Sequence, residues 1–318
     1  MSIVKNGRKI LSNVIDTQIS IHEKFGGVVP EIASRNHVEA ISTVMKKAVA
    51  DANININDID AIACTYGPGL VGALLVGVSY AKALSYALNK PLIAVNHIKG
   101  HIAANYITHE KLEPPFLCMM MSGGNTQIIL VKDYNTFEVL GKTKDDAIGE
   151  AFDKVARVIG VGYPGGPVID KMATIGEHEY NLPIPLNDET YNFSFSGLKS
   201  AVINLVHNKA QRGEEVNKEN LSKSFQDVVV DIITRKTMKA LKEKNVNYLI
   251  VAGGVAANKG IRNKLEELCK KENIECHCPD FKYCTDNATM IGAAAFVAYK
   301  KGIKSDTKLN AKPGETLV

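Results

Sequence analysis

No stretch of this chain is long enough and apolar enough to cross a bilayer. The longest apolar run, residues 69–88, is cut by Gly72, Gly77, Ser79 and Lys82 and reads as a buried helix. No signal peptide is expected either, because residues 1–10 alternate apolar side chains with Lys and Arg. The six cysteines stand scattered at 64, 118, 269, 276, 278 and 284, which is no disulfide framework. Cys276-His277-Cys278 would attract a soft metal, but no second pair stands near it, so reduced thiols in a strand are expected. A cytoplasmic protein fits these absences. Charge of one sign is also scarce: a formal net charge of +4 and a pI of about 8.6 permit a polyanionic partner without demanding one. Basic residues gather at 236–244 and 262–271, on helical patterns that also carry Glu and read as solvated faces. With 45% apolar and 23% charged residues the composition is that of a soluble enzyme, and 318 residues suffice for two lobes.

What is present centres on Val95-Asn-His-Ile-Lys-Gly-His-Ile-Ala-Ala-Asn105. His97 and His101 stand four residues apart, which on a helix puts both imidazoles on one face, one turn apart. Such a pair can chelate a divalent transition metal. The apolar Pro91-Leu-Ile-Ala-Val95 before it reads as a buried strand, so the pair falls just past a strand end, where α/β proteins bind ligands. The pair also arises by chance on helices, and both readings stand at this point. It is not a His-Glu-x-x-His hydrolase motif: Ile98 occupies the position of the general base.

The chain begins with Ile3-Val4, an Asn6-Gly7 turn and Lys9-Ile10-Leu11, a hairpin signal. After a turn at Gly26-Gly27, Pro30 and Glu31 open an amphipathic helix to about Asn53. A strand at 60–65 leads into Tyr66-Gly-Pro-Gly-Leu-Val-Gly72 and the apolar run. This glycine turn can hold a phosphate or simply pack strand on helix; it lacks the Gly-Lys-Ser/Thr ending of a P-loop. Glu113-Pro-Pro115 marks a crossing to a second lobe. Strand 116–121, the polar Ser122-Gly-Gly-Asn-Thr126 and strand 127–131 form a hairpin of the kind that clasps a phosphate. Asp145-Asp-Ala-Ile-Gly-Glu-Ala-Phe-Asp-Lys154 reads as a helix with acids near its start, though Asp153 lies too far in for that reason to serve. A rigid turn at Tyr163-Pro-Gly-Gly-Pro167 precedes Asp170. Ser194 and Ser196 read as caps of the next helix. Residues 214–245 read as helices with charged faces, and strand 248–252 runs into Gly253-Gly-Val-Ala-Ala-Asn258. Asp286 precedes an Ala-rich helix. It serves there either as an N-cap or as the third member of a two-His, one-carboxylate set suited to Fe(II). The tail, 301–318, reads as polar and ragged.

Taken in order, His97-x-x-x-His101, Met121-Ser-Gly-Gly-Asn-Thr126, Gly149-Glu-Ala-Phe-Asp-Lys154, Tyr163-Pro-Gly-Gly-Pro167, Phe193-Ser-Phe-Ser-Gly-Leu-Lys199, Ala252-Gly-Gly-Val-Ala-Ala-Asn258 and Thr285-Asp-Asn287 resemble the TsaD family of tRNA threonylcarbamoyladenosine synthases. Gly26-Gly-Val-Val-Pro-Glu-Ile-Ala-Ser-Arg35 and Gly67-Pro-Gly-Leu-Val-Gly72 match as well, so the resemblance covers essentially the whole chain. It implies an α/β, two-lobed actin/sugar-kinase/Hsp70-like (ASKHA) fold with the active site in the inter-lobe cleft. The N-terminal lobe would be residues 1–112 completed by 288–318, and the second lobe 113–287.

The resemblance further implies that His97, His101 and Asp286 bind a metal, Fe(II), with Zn or another divalent ion possible in vitro. Met120, Met121, Ser122, Gly123 and Gly124 would hold phosphate, Asp153, Gly166 and Asp170 the ribose side, and Asn258 the adenine side. Met120 stands where archaeal members have Tyr, so no fourth side-chain ligand is expected from it. The implied reaction moves a threonylcarbamoyl group from threonylcarbamoyl-AMP to N6 of adenosine 37 in tRNAs reading codons that begin with A. The implied partners are a smaller TsaB-like paralogue and a TsaE-like ATPase. No general base is identified. The family's usual opening, a strand and a Ser/Thr-x-Cys-Asp-Glu-Thr loop, has no counterpart here. The 3–11 hairpin corresponds to the second and third strands, and a misassigned start codon is the expected cause. Two other functions are weighed: a metalloprotease, the older O-sialoglycoprotein endopeptidase label, and a non-catalytic scaffold in a tRNA-modifying complex.

Overall fold

Asn6 and Gly7 take positive φ, 55° and 69°, and close the first hairpin as an Asn-Gly pair should. The hairpin joins β1 (Ser2–Lys5) to β2 (Lys9–Asn13) antiparallel. The computed structural model describes all 318 residues and divides the chain into two units. Unit one comprises 1–113, 133–136 and 285–318; unit two comprises 114–132 and 137–284.

Unit one continues with the short α1 (Ile19–Glu23) and with α2 (Pro30–Ala52), which has Pro30 in its first turn and ends at left-handed Asn53. Then follow β3 (Ile62–Gly67), α3 (Val71–Leu88), β4 (Leu92–Asn96) and α4 (His97–Thr108). β3 and β4 are parallel, with α3 as their crossover. The apolar run is not the buried helix expected of it. Only Leu74, Val78 and Ala81 of α3 are buried, while Val71, Leu75 and Tyr86 are exposed. Contrary to the expectation that no run would qualify, the helix has the length and apolarity of a membrane span, with a mean hydropathy of 1.5, because Gly72, Gly77 and Ser79 interrupt neither the helix nor its apolar character. One side packs on α2 and β3, and nothing in the chain covers the other. Composition reported the apolarity; it could not report how many neighbours the helix would find.

Unit two carries a five-stranded sheet. Its elements are β5 (Phe116–Met121), β6 (Thr126–Asp133), β7 (Thr136–Lys142), α5 (Ile148–Ile159), α6 (Gly165–Ala173), α7 (Ser196–Gln211), α8 (Lys218–Lys244), β8 (Tyr248–Ala252), α9 (Lys259–Lys271), β9 (Glu275–His277) and α10 (Phe281–Cys284). The strand order is β7-β6-β5-β8-β9, with β5 antiparallel to β6 and parallel to β8. Every residue of central β5 is fully buried, which is why it reads as an unbroken apolar run. Cys276 and Cys278 lie in and beside β9 as free thiols. α11 (Ala288–Lys300) then returns to unit one, against α4.

Several side chains differ from their sequence reading. Asp145 and Asp146 precede α5 rather than opening it. Asp145 accepts from the backbone N–H groups of Phe195 (2.8 Å) and Ser196 (3.2 Å). Ser194 and Ser196 donate their hydroxyls to the same carboxylate (2.6 Å each), so they do not cap α7 themselves. Asp146 accepts from Lys199 (2.7 Å) and Lys154 (3.0 Å). The 236–244 segment is no simple solvated face: Lys236 is buried and donates to Asp188 (3.0 Å) and to the carbonyl of Thr190 (2.8 Å). Arg262 likewise bonds the carbonyls of Ala256 (3.1 Å) and Pro279 (3.0 Å). Most of these partners arrive from loops distant in sequence, which helical periodicity cannot reveal; Ala256, six residues before Arg262, and Asp146, eight before Lys154, are the near ones. The tail is not ragged: Ser305 N–H donates to the carbonyl of Leu92 (2.8 Å), and Leu309 packs against a cluster of Cys64, Val78, Ala81 and Leu92.

Because Asp145 does the work of an N-cap from outside the helix, Asp145→Ala should lower stability by about 1 kcal/mol in urea unfolding. Asp145→Asn, which keeps an acceptor, should lose less; equal losses would mean that the carboxylate's hydrogen bonds do not hold α7.

Candidate metal centre and glycine turns

β4 ends at Asn96, whose Oδ1 accepts from the N–H groups of Ile98 (2.9 Å) and Lys99 (3.4 Å) and so starts α4 at His97. His101 follows one turn on. The two rings lie edge to face, 4.7 Å between centroids. α11 approaches α4 at Gly100, where a Cβ would stand 2.7 Å from Ile291 Cδ1, so only glycine admits this approach without a shift. The first cap of α11 is Asn287, whose Oδ1 accepts from Met290 N–H (3.0 Å). Asp286 therefore does not cap the helix. Its Oδ1 lies 3.4 Å from His97 Nε2 and 3.1 Å from His101 Nε2.

These three residues offer ligand atoms that all lie within 4.8 Å of one another. His101 is buried; its Nδ1 has no hydrogen-bond partner, and its Nε2 meets only Asp286 Oδ1. Such an orphaned imidazole is uncommon inside a folded chain, and a divalent ion would satisfy it. Burial holds His97 below an ordinary imidazole; His101 adds to that, and Asp286 opposes it. Desolvation works to raise the Asp286 carboxyl, but the two imidazoles outweigh it and hold it at about 2. The donor set thus presents a free imidazole lone pair and a carboxylate at neutral pH. The Asp286 side chain keeps 78% of its surface open, leaving a side through which further ligands can reach an ion. The residues fit a two-His, one-carboxylate site.

In unit two, β5 and β8 are parallel neighbours with Met120 opposite Ala252, so the Ser122 and Gly253 turns leave the same ends of adjacent strands. Ser122 N–H donates to the Asn125 carbonyl (2.7 Å), and Asn125 N–H to Ser122 Oγ (3.1 Å), closing the first turn. A Cβ placed on Gly123, Gly124, Gly166 or Gly254 meets nothing within 4 Å, so a ligand can approach bare backbone there. Gly253 has φ 91°, and a Cβ on it would fall 2.2 Å from the carbonyl of Met121. Met120 and Met121 are fully buried, backbone and side chain alike, and of residues 120–124 only Gly123 and Gly124 are exposed.

Asp153 sits against the start of α6, the helix that carries Asp170: its Oδ1 accepts from Gly165 N–H (2.7 Å), and burial raises its carboxyl above the usual range. Asp170 and Asn258 are brought together. Asp170 accepts from the N–H groups of Lys259 (3.0 Å) and Gly260 (3.3 Å) and from Gln226 Nε2 (3.1 Å). Asn258 Nδ2 donates to Gln226 Oε1 (2.9 Å). Gln226, the link between them, escaped the sequence reading; its signal is an amide set between Phe225 and Val228 on the buried side of α8. Asn96 escaped too, although an Asn between a strand and a helix is a cap signal. At 66–72 the chain itself lies on the glycine turn: Gly69 N–H donates to the carbonyl of Pro313 (3.2 Å).

A protein-family model described as TsaD, tRNA N6-adenosine threonylcarbamoyltransferase, matches residues 9–293. A protein of Clostridium botulinum (strain 657 / Type Ba4) named tRNA N6-adenosine threonylcarbamoyltransferase is 56% identical over 315 residues, covering 98% of this chain and 92% of that protein. One of the same name from Caldicellulosiruptor saccharolyticus is 56% identical over 318 residues, 100% of this chain and 94% of that one. Among solved structures, full-length HypF in its phosphate- and nucleotide-bound form gives a TM-score of 0.61 at 16% identity, over 84% of this chain and 43% of that one. Component A of the Acidaminococcus fermentans (R)-2-hydroxyglutaryl-CoA dehydratase gives 0.54 at 16% identity, over 95% and 94%. At such identities these two show the fold alone, which is actin/sugar-kinase/Hsp70-like.

Protons compete with a metal for these ligands. With His97 held below the ordinary imidazole value of 6.5 and Asp286 at about 2, protons at these two ligands should not weaken affinity for a divalent ion until the pH falls below 6.5. Calorimetric titration at stepped pH measures this; a loss of affinity beginning well above pH 6.5 would contradict it.

Proposed function

The chain belongs to the TsaD family of tRNA N6-adenosine threonylcarbamoyltransferases, and from that premise we propose that it forms t6A by moving a threonylcarbamoyl group from threonylcarbamoyl-AMP to N6 of adenosine 37 in tRNAs reading ANN codons. The observation that supports the chemistry is the pairing of Asp286 with two imidazoles, one of them buried and orphaned. We assign His97, His101 and Asp286 to a divalent metal, and the donor set favours Fe(II). When bound, such an ion polarises a carbonyl as a Lewis acid.

The chain's own residues supply the rest. The exposed Gly123 and Gly124 and the bare Gly254 give a phosphate an approach unobstructed by side chains, as AMP leaving would need, and we assign buried Met120, Met121 and Ser122 to the same phosphate turn, as the part that holds it in place. Gly166, Asp153 and Asp170 lie on or against the first turns of α6 and α9, and we assign them to the ribose side, with Asn258 on the adenine side. The exocyclic amine of adenosine is a weak nucleophile, so holding it in line with the carbonyl carries much of the rate.

A TsaB-like paralogue is the partner we propose, with a TsaE-like ATPase. The exposed apolar side chains Val38 of α2 and Val71, Leu75 and Tyr86 of α3 support a protein partner on this face. A tRNA substrate favours the cytoplasm. The protease alternative lacks its base: Ile98 stands where Glu would, and its side chain is buried at 1% exposure. The scaffold alternative predicts a degenerate site, whereas the whole donor set is present.

The test is transfer itself. The chain, with its proposed partners, threonylcarbamoyl-AMP and an ANN-decoding tRNA, should yield the modified nucleoside by mass spectrometry. His97→Ala and Asp286→Ala should each lower the rate about a hundredfold or more. Full transfer by both variants, folded, would remove the metal from the reaction; no transfer by the parent chain would favour the scaffold.

A further inference from the structure

Residues 305–318 form a strap across unit one. It enters by pairing Ser305 with Leu92 on β4, and Lys82 Nζ holds the carbonyl of Leu309 (3.1 Å). It then crosses the turn after β3. Lys312 N–H donates to the carbonyl of Tyr66 (2.7 Å), and Glu315 N–H closes a turn on Lys312 (3.1 Å). Tyr66 donates its hydroxyl to Glu315 Oε1 (2.8 Å). Gly67 must be glycine for this crossing, because a Cβ would lie 2.0 Å from the carbonyl of Lys312. The strap ends with Leu317 buried and with the carbonyl of Thr316 accepting from Asn96 Nδ2 (2.9 Å).

Asn96 is itself buried, and it is the N-cap of the helix that carries both histidines. Its amide has two chemically distinct ends. The oxygen holds the first turn of α4, and the nitrogen is held by the strap. If the strap let go, that nitrogen would lose its buried partner, and the amide would be free to turn its oxygen away from the helix. His97, the first residue of α4, would lose its fixed bearing, and His101 would follow through the helix.

We propose that the strap, gripping Asn96 through Thr316, positions His97 and His101 for metal binding, and that Asn96 is a positioning residue that touches neither ion nor substrate. This rests on the metal reading of His97, His101 and Asp286.

Co(II), added alone to the full chain, is the probe, because its absorption bands report ligand geometry as well as occupancy. His101→Ala should abolish binding. A chain lacking residues 316–318 should bind Co(II) about tenfold more weakly, with shifted bands; because Leu317 is buried it should also melt at a lower temperature, so the shift of the bands is the readout that separates misplaced ligands from lost stability. Tyr66→Phe, which removes one of the strap's holds, the bond to Glu315, without touching Asn96 or either histidine, should move affinity and bands in the same direction by a smaller amount, and it is the readout should the shortened chain fail to fold. Unchanged affinity and bands in these two variants, with binding abolished by His101→Ala, would overturn the strap's role. Unchanged binding by His101→Ala would overturn the metal reading instead.

Discussion

The constraint on which unit one depends is the burial of His101. Its Nδ1 has no hydrogen-bond partner and its Nε2 meets only Asp286 Oδ1; a buried nitrogen left unsatisfied works against folding by about 1–3 kcal/mol. The surrounding elements make sense as means of holding that ring where an ion would satisfy it. Asn96 fixes where α4 begins, Gly100 lets α11 press against the same helix, and Asn287 starts α11 so that Asp286 projects at the rings. None of these three touches an ion. Together they decide whether two imidazoles and a carboxylate meet.

Unit two solves a different problem, the approach of backbone to a ligand. A buried parallel pair, β5 and β8, delivers two glycine turns to the same sheet edge. The pair is stiff because β5 is buried along its whole length, and the turns are bare because no side chain stands over Gly123, Gly124 or Gly254. Rigid strands with unclothed ends are a sound basis for an anion site, since the N–H groups are held in place before any ligand arrives.

Much of this was legible in the sequence because it rests on local chemistry. Asn6-Gly7 demands positive φ, Pro30 demands a helix start, and four-residue spacing puts His97 and His101 on one face. The illegible parts are those in which a distant segment supplies the partner. The turn at 66–72 offered a choice between phosphate and plain packing, and the chain's own strap proved to lie there. Ser194 and Ser196 had the spacing of caps, yet the cap arrives from Asp145, some fifty positions earlier. The apolar run of α3 carried the composition of a core helix and lies half uncovered. Periodicity records what a segment would bury; the topology decides what comes to cover it.

Asp170 and Asp286 show how much hangs on a neighbour. Asp170 lies within α6 and reaches across to the start of α9, whereas Asp286 stands just before α11, where the sequence leaves capping and ligation both open. At α9 the carboxylate of Asp170 takes the N–H groups of Lys259 and Gly260, and Gln226 fills in beside them. At α11 the next residue is Asn287, and its amide takes the helix N–H instead. Asp286 is released from that duty, and its oxygen turns to the imidazoles. Both helices have an Asn at the cap, Asn258 at α9 and Asn287 at α11, so what separates the two acids is the partner left to each: first-turn N–H groups for Asp170, imidazoles for Asp286.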